Sequence, residues 1–303
     1  MGIMRTEGDS WDITTSVGST ALFVAAARAL AGRDPSALAV DPFAEIFVRA
    51  AGPEWSPMLD GGEPAELLAE SEFGRAFQEF QAARTRYFDD FVAAAIDAGI
   101  RQVVILAAGL DARAYRLRWP EATIVYELDR PQVLEFKRET LAANGDKPLV
   151  DRREVAADLR QDWPGALREQ GFDPARPTAW LVEGLLIYLP ADAQEQLFDT
   201  IDALSVAGSR VAVEQMDPLP EEAAAAIGQM PDETETGGNG QWTALIYNEP
   251  RSEVTAWLTA HDWRAERTDV PDYLRAHGRP APNRDPREGL VPALVSLVTG
   301  IRA

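Results

Sequence analysis

Apolar positions change rhythm near residue 100: before it they recur at helical spacing, and after it short β-branched runs alternate with helical stretches. Thr15–Ala31 is alanine-rich, carries Leu22, Val24 and Leu30, and is followed by Gly32 as a C-cap, which predicts a helix. Asp41–Gly52 predicts a second, opening on Asp41-Pro42 as cap and first-turn pair. Pro53–Pro64 reads as a loop. Ala65–Ala98 is helical again, with Phe73, Phe77 and Phe80 on one face. Such a stripe is a buried packing face rather than a ligand cage.

Strand-length runs then appear at Val103–Ala108, Thr123–Leu128, Arg152–Ala157, Ala179–Val182 and Arg210–Glu214. Helical patterns over Pro131–Ala143 and Pro190–Leu204 separate some of them. The alternation predicts an α/β fold, a parallel sheet covered by helices. Asp217–Asn248 breaks it with a short helical piece, a Gly/Asn/acid-rich loop over Pro231–Gly240, and QWTALIYN. A long interruption of that kind reads as an insertion or lid. Pro250–Ala260 then predicts a helix, Trp263–Val270 a strand, Arg279–Glu288 a loop and Leu290–Ile301 a closing strand.

The first βα turn carries the chemistry. Val103–Ala108 stops at Gly109 and a helix-like segment follows; twenty residues after that glycine the second run ends in Asp129. In an open α/β sheet ligands sit at the carboxyl ends of the strands, and an acid there accepts hydrogen bonds from ribose hydroxyls. A dinucleotide turn wants G-x-G-x-x-G so that backbone amides approach a pyrophosphate. Here the turn is Ala107-Ala108-Gly109-Leu110-Asp111-Ala112, with one glycine and an acid inside it. That acid repels a pyrophosphate and tolerates a cation, which points to S-adenosylmethionine (SAM), whose sulfonium and ammonium come without phosphate. Asp158 and Glu183 also end strands.

Composition narrows the field. With 49 acidic and 29 basic residues the formal charge is −20, which argues against nucleic acid as main partner. The chain has no cysteine, so it has no disulfide framework, no thiol nucleophile and no Cys-ligated metal. We expect no metal site. No apolar run approaches the ~18 residues of a membrane span, and the N-terminus lacks the apolar core of a signal peptide. A cytoplasmic location and no membrane partner are the resulting expectations. Gly2 and Thr6 match a myristoylation pattern, which we set aside as chance or a cloning scar.

SWDITTSVGSTALFVAAARAL, DPFAEIFVRAAG, RTRYFDDFV, LAAGLDARAYRL, YELDRPQVLEFK and VEGLLIYLP resemble the leucine carboxyl methyltransferase family of SAM-dependent enzymes over nearly the whole chain. The resemblance is to a bacterial branch abundant in actinobacteria that includes polyketide carboxyl O-methyltransferases. The turn departs from the family's common Gly-Ala-Gly, and Ala107 fits the first position if its φ is negative. The resemblance implies a class I (Rossmann-like) sheet, mostly parallel with an antiparallel final strand, plus a helical cap. Residues 1–98 would form cap and lead-in helices, and 99–303 the SAM-binding core with its lid at 217–248. It further implies that Asp129 holds the ribose and that Asp158 with the Leu159 backbone contacts adenine. Arg84 or Arg86 would hold the methionine carboxylate, Glu183 would lie near the methionine end, and Ala107 and Gly109 would form the turn beneath.

The expected reaction is O-methylation of a small molecule of secondary metabolism, on a carboxylate in preference to a hydroxyl. Trp11–Leu30 and 217–248, with Trp242 and Tyr247, would cover the acceptor. His261 and His277 read as surface or capping residues, with His277 and Tyr247 the weak candidates for a base. Two other readings stay open at this point: an NAD-dependent dehydrogenase, disfavoured by the missing glycines, and a non-catalytic SAM-binding module. Oligomeric state is not legible.

Overall fold

The computed structural model describes residues 16–61, 68, 71–220, 245–282 and 290–303. Trp11, Trp242 and the central residues 221–244 of the expected lid lie outside the described residues, as do the N-terminal residues of the myristoylation pattern.

Among the described residues, four helices precede the sheet: α1 (Ser16–Ala31), α2 (Ala44–Ala50), the single turn α3 (Pro57–Asp60) and α4 (Glu72–Asp97). The sheet phase then runs β1 (Gln102–Leu106), α5 (Arg113–Arg116), β2 (Ile124–Asp129), α6 (Pro131–Ala143), β3 (Asp151–Ala156), α7 (Trp163–Glu169) and β4 (Ala179–Val182). A 3-10 turn at Leu186–Tyr188 leads into α8 (Ala191–Ala203) and β5 (Arg210–Met216). The chain closes with α9 (Val254–Ala260), β6 (Trp263–Asp269), α10 (Val270–Ala276), α11 (Leu290–Ala293) and β7 (Val295–Arg302).

The seven strands lie in the order β3-β2-β1-β4-β5-β7-β6. β1 to β5 are mutually parallel, and β7 slots antiparallel between β5 and β6. This is the class I methyltransferase sheet. β1 and β4 are buried at every position, as central strands of a sheet covered on both faces must be. Val103 and Ile105 pack toward α1, α2, α4 and α10, while Val104 and Leu106 pack toward α7, α8 and α9. The edge strands β3 (DRREVA) and β6 (WRAERTD) are charged, which blunts both free edges against further pairing. The phenylalanine stripe of α4 packs on α1, with Phe23 and Phe77 ring centroids 5.4 Å apart.

Several expected elements shift. The helix after Gly109 is one turn, because Arg113 and Arg116 are drawn into ion pairs with Asp89 and Leu117 turns extended. Asp41 does not cap α2, which starts at Ala44; its carboxylate accepts from Phe43 N at 3.1 Å and meets Arg28 at 3.2 Å. The closing strand starts at Val295, after the helical turn α11. α7 and α10 are not among the helices expected from sequence.

Candidate active site

The chain reverses its winding between β1 and β4, and at that switch point the strand ends form a crevice. Leaving β1, Ala107 adopts φ +49° and Gly109 φ +45°. The negative φ expected of Ala107 is therefore corrected: the turn needs a left-handed residue there, the conformation a glycine adopts freely. A non-glycine in that region carries roughly 1–2 kcal/mol of strain, which exceeds the ~0.5–1 kcal/mol entropic cost of glycine. Ala107→Gly is thus expected to stabilise the fold by about 1 kcal/mol in urea unfolding. A loss of stability would contradict the left-handed assignment.

Asp129 ends β2 beside this turn. Its carboxylate accepts from Gly109 N at 2.6 Å and from its neighbour Arg130 N at 2.7 Å, so it ties the second strand to the turn. Burial raises its pKa, and the two amide bonds offset that only in part. Each oxygen has one backbone donor, which leaves lone pairs for further donors. Asp158 lies just beyond β3, where Ala157 N bonds Asp129 O at 3.0 Å. The Arg160 guanidinium at 2.6 Å and Arg130 at 3.1 Å hold the Asp158 carboxyl at about 2. Leu159 beside it is half-buried.

The end of β4 presents Glu183 into a buried charge network. Arg113, only 3% exposed, reaches Glu183 at 2.7 Å, Asp89 at 2.8 Å and Asp111, and lies over the Phe88 ring at 5.6 Å. Arg84 reaches Glu183 at 3.1 Å and Glu214 of β5 at 3.0 Å. Burial alone would lower the Arg84 pKa, but Glu214 and Glu183 raise it. Glu214 also accepts from Gly184 N at 2.8 Å. Gly184 has φ +62°, and a Cβ there would stand 3.4 Å from Arg84 Nη1, so glycine suits this contact. Arg28 of α1 binds Leu110 O at 2.9 Å and pairs with Asp41, and Arg116 clasps Asp89.

Asp41, Asp89, Asp111, Glu183 and Glu214 are thus five carboxylates facing four guanidinium groups, those of Arg28, Arg84, Arg113 and Arg116. The surplus is negative. Burial pushes the Asp111 carboxyl up, yet Arg113 and Lys137 outweigh it and bring it down to about 2, so it is ionised at neutral pH. Arrangements like this repel phosphate and favour a cationic ligand.

The structure separates the two arginines left open by sequence. Arg84 points to the strand ends, whereas Arg86 pairs with Asp90 at 2.7 Å on an exposed face of α4. His277 is exposed at the end of α10, its Nδ1 is 2.8 Å from Tyr273 O, and its ring packs on Tyr273 at 4.2 Å. His261 repeats the motif, with Nδ1 2.7 Å from Trp257 O. Tyr247 is half-buried over the turn after β4, its N bonded to Ile187 O at 2.8 Å.

Sequence reasoning passed over Arg28, Asp89, Arg113 and Glu214. One signal was available: Glu214 closes the predicted fifth strand just as Glu183 closes the fourth. The arginines carried none, since they lie on helices whose approach to the sheet is a tertiary fact.

Comparison with known proteins identifies the family. The family model described as leucine carboxyl methyltransferase matches residues 21–202. A protein of Mycobacterium sp. (strain KMS), named "Putative S-adenosyl-L-methionine-dependent methyltransferase", is 57% identical over 99% of this chain and 100% of its own length. One of the same name from Mycolicibacterium paratuberculosis (strain ATCC BAA-968 / K-10) is 55% identical over the same shares. Among solved structures, a duf574 family protein from Streptomyces avermitilis aligns with TM-score 0.52 at 15% identity, covering 86% of this chain and 96% of that one. That likeness speaks to the fold alone.

Proposed function

The chain belongs to the leucine carboxyl methyltransferase family and is a SAM-dependent methyltransferase; on that premise we propose that it methylates the carboxylate of a small, partly apolar molecule. The observation that carries the cofactor is the negative surplus of buried charge around Arg84, Arg113 and Glu183, beside a ribose-type acid at the end of β2, and the carboxylate acceptor follows the family's description. A cationic nucleoside fits that environment and a dinucleotide does not.

In this reading Asp129 accepts the ribose hydroxyls, Ala107 and Gly109 run beneath them, and Asp158 with the Leu159 backbone meets the adenine. Glu183 lies by the methionine end, and Arg84 answers the methionine carboxylate, exchanging part of its contact with Glu183 or Glu214. A guanidinium suits that task because it binds carboxylates in a planar fork. Bound there, SAM would supply an electrophilic methyl group, which an oxygen lone pair of the acceptor would take while the carbon–sulfur bonding pair stays on sulfur. The helices before β1, with the described residues at either end of the 217–248 segment, cover the acceptor, exclude water and align it. Asn248 supports this, since its side chain bonds both Leu219 N at 2.6 Å and Leu219 O at 2.9 Å and so closes the segment at its base.

A carboxylate acceptor is already ionised at neutral pH, so no residue has to remove a proton. The Nδ1 of each histidine faces a carbonyl four residues earlier in its own helix. The test is turnover of labelled SAM against a panel of aromatic acids, polyketide acids, phenols and peptide carboxyl termini. The expected product is an ester cleaved by mild alkali, formed at a rate nearly flat from about pH 6 to 9. An alkali-resistant ether, with a rate climbing through that range, would transfer the assignment to a hydroxyl with Tyr247 as the candidate base.

A further inference from the structure

α4 runs antiparallel to the strands it covers. Ala94 O accepts from Arg210 at the start of β5 at 3.1 Å, and ten residues earlier Arg84 reaches Glu214, four residues along the same strand. Extending that line, Gln81 stands three residues before Arg84, about 4.5 Å further out along the helix axis. This places it past the level of Glu214, toward the carboxyl end of β5. It is within about 60° of Arg84 around the helix, hence on the same face.

Gln81 is 1% exposed, and neither its Oε1 nor its Nε2 has a hydrogen-bond partner. The apolar cluster on this face of the sheet includes Phe80 from α4, Ile187 after β4, Met216 at the end of β5, Leu219 beyond it, and Ile246. A glutamine is a poor choice for such surroundings if packing is its only task. A leucine or methionine would fill the same volume without stranding two polar atoms.

We propose that Gln81 is an acceptor-binding residue, donating from Nε2 to the carboxylate oxygen that is not methylated. This rests on the carboxylate reading above. A neutral amide suits the role: it fixes the orientation of the carboxylate without neutralising its charge, as a guanidinium would. The apolar groups around it then select an acid with an aromatic or aliphatic body.

The experiment is calorimetric binding of benzoate and of octanoate to the full-length protein saturated with S-adenosylhomocysteine, comparing the parent with Gln81→Met and Gln81→Glu. At least one acid should bind the parent. Its affinity should fall tenfold or more in Gln81→Met and beyond detection in Gln81→Glu, whose charge repels it. S-adenosylhomocysteine affinity should stay within about twofold. Gln81→Met should also raise Tm by about 2 °C or more, because it removes two stranded polar atoms. A packing residue would show no such opposition between stability and affinity.

Equal acid binding by the parent and Gln81→Met would overturn the Gln81 assignment and leave the carboxylate reading standing. If neither acid binds the parent, the Gln81 assignment falls, while the carboxylate reading is decided separately by the labelled-SAM panel. A matching loss of S-adenosylhomocysteine affinity in Gln81→Met would also overturn the proposal, assigning Gln81 to the packing of the cofactor site.

Discussion

Replacing Arg113 by leucine is expected to lower the unfolding free energy by about 3–5 kcal/mol, the usual cost of removing one partner from a buried ion pair. Arg113 is nearly inaccessible and touches three carboxylates, those of Asp89, Asp111 and Glu183. Without it, Asp111 would remain buried in an acidic cluster with its principal counter-charge gone. The control is Arg86→Leu. Arg86 makes an equally short pair, to Asp90, but both side chains are about half exposed and the interaction is screened. Its loss should change stability by no more than about 0.5 kcal/mol. Urea unfolding of the two variants and the parent measures the contrast. Equal, small effects would mean that the network around Arg113 is solvated, and the argument from its charge would fail.

Acid should reach the carboxylates of this network at different points, since burial raises the Glu214 pKa whereas Arg113 and Lys137 depress that of Asp111. The Asp111 pKa is depressed in the folded state, so its stabilising contribution is fully present above the ordinary value. It is lost only as pH falls through about 2.

The sheet was legible because its strands are short, β-branched and closed by glycine or acid. The expected Ala179–Val182 strand and Pro131–Ala143 helix match β4 and α6 residue for residue. Parallel order and the crevice at the strand ends followed from alternation alone. Boundaries failed where a tertiary contact outbid local preference: Asp41 turns aside from α2 to meet Arg28, and Arg113 cuts α5 to one turn.

The strand-end acids were legible for a similar reason, since Asp129 and Glu183 occupy positions that topology assigns to ligands. Their guanidinium partners were not. Arg28 sits in an alanine-rich helix, and nothing in its neighbourhood announces that it lies against Leu110 eighty-two residues away. The positive φ of Ala107 escaped as well, because alanine gives no sign of the left-handed conformation that a glycine would have advertised.

Binding of S-adenosylhomocysteine to Asp129 variants tests the account most directly. The Asp129 carboxylate already holds Gly109 N and Arg130 N, so in this account its remaining lone pairs are aimed at the ribose diol. A hydrogen bond to a charged group contributes about 1.5–3 kcal/mol, and Asp129→Ala should therefore weaken binding tenfold or more. Asp129→Asn keeps an oxygen for Gly109 N and guards against loss of the turn itself; it should show most of the same defect. Because burial raises the Asp129 pKa, the parent should lose affinity as pH falls, at a higher pH than an ordinary carboxylate would give. Calorimetry at neutral and mildly acidic pH reads all of these. A tenfold or greater loss in both variants, with pH-dependent binding confined to the parent, is the predicted result; unchanged affinity in folded Asp129→Ala would contradict the account at its centre.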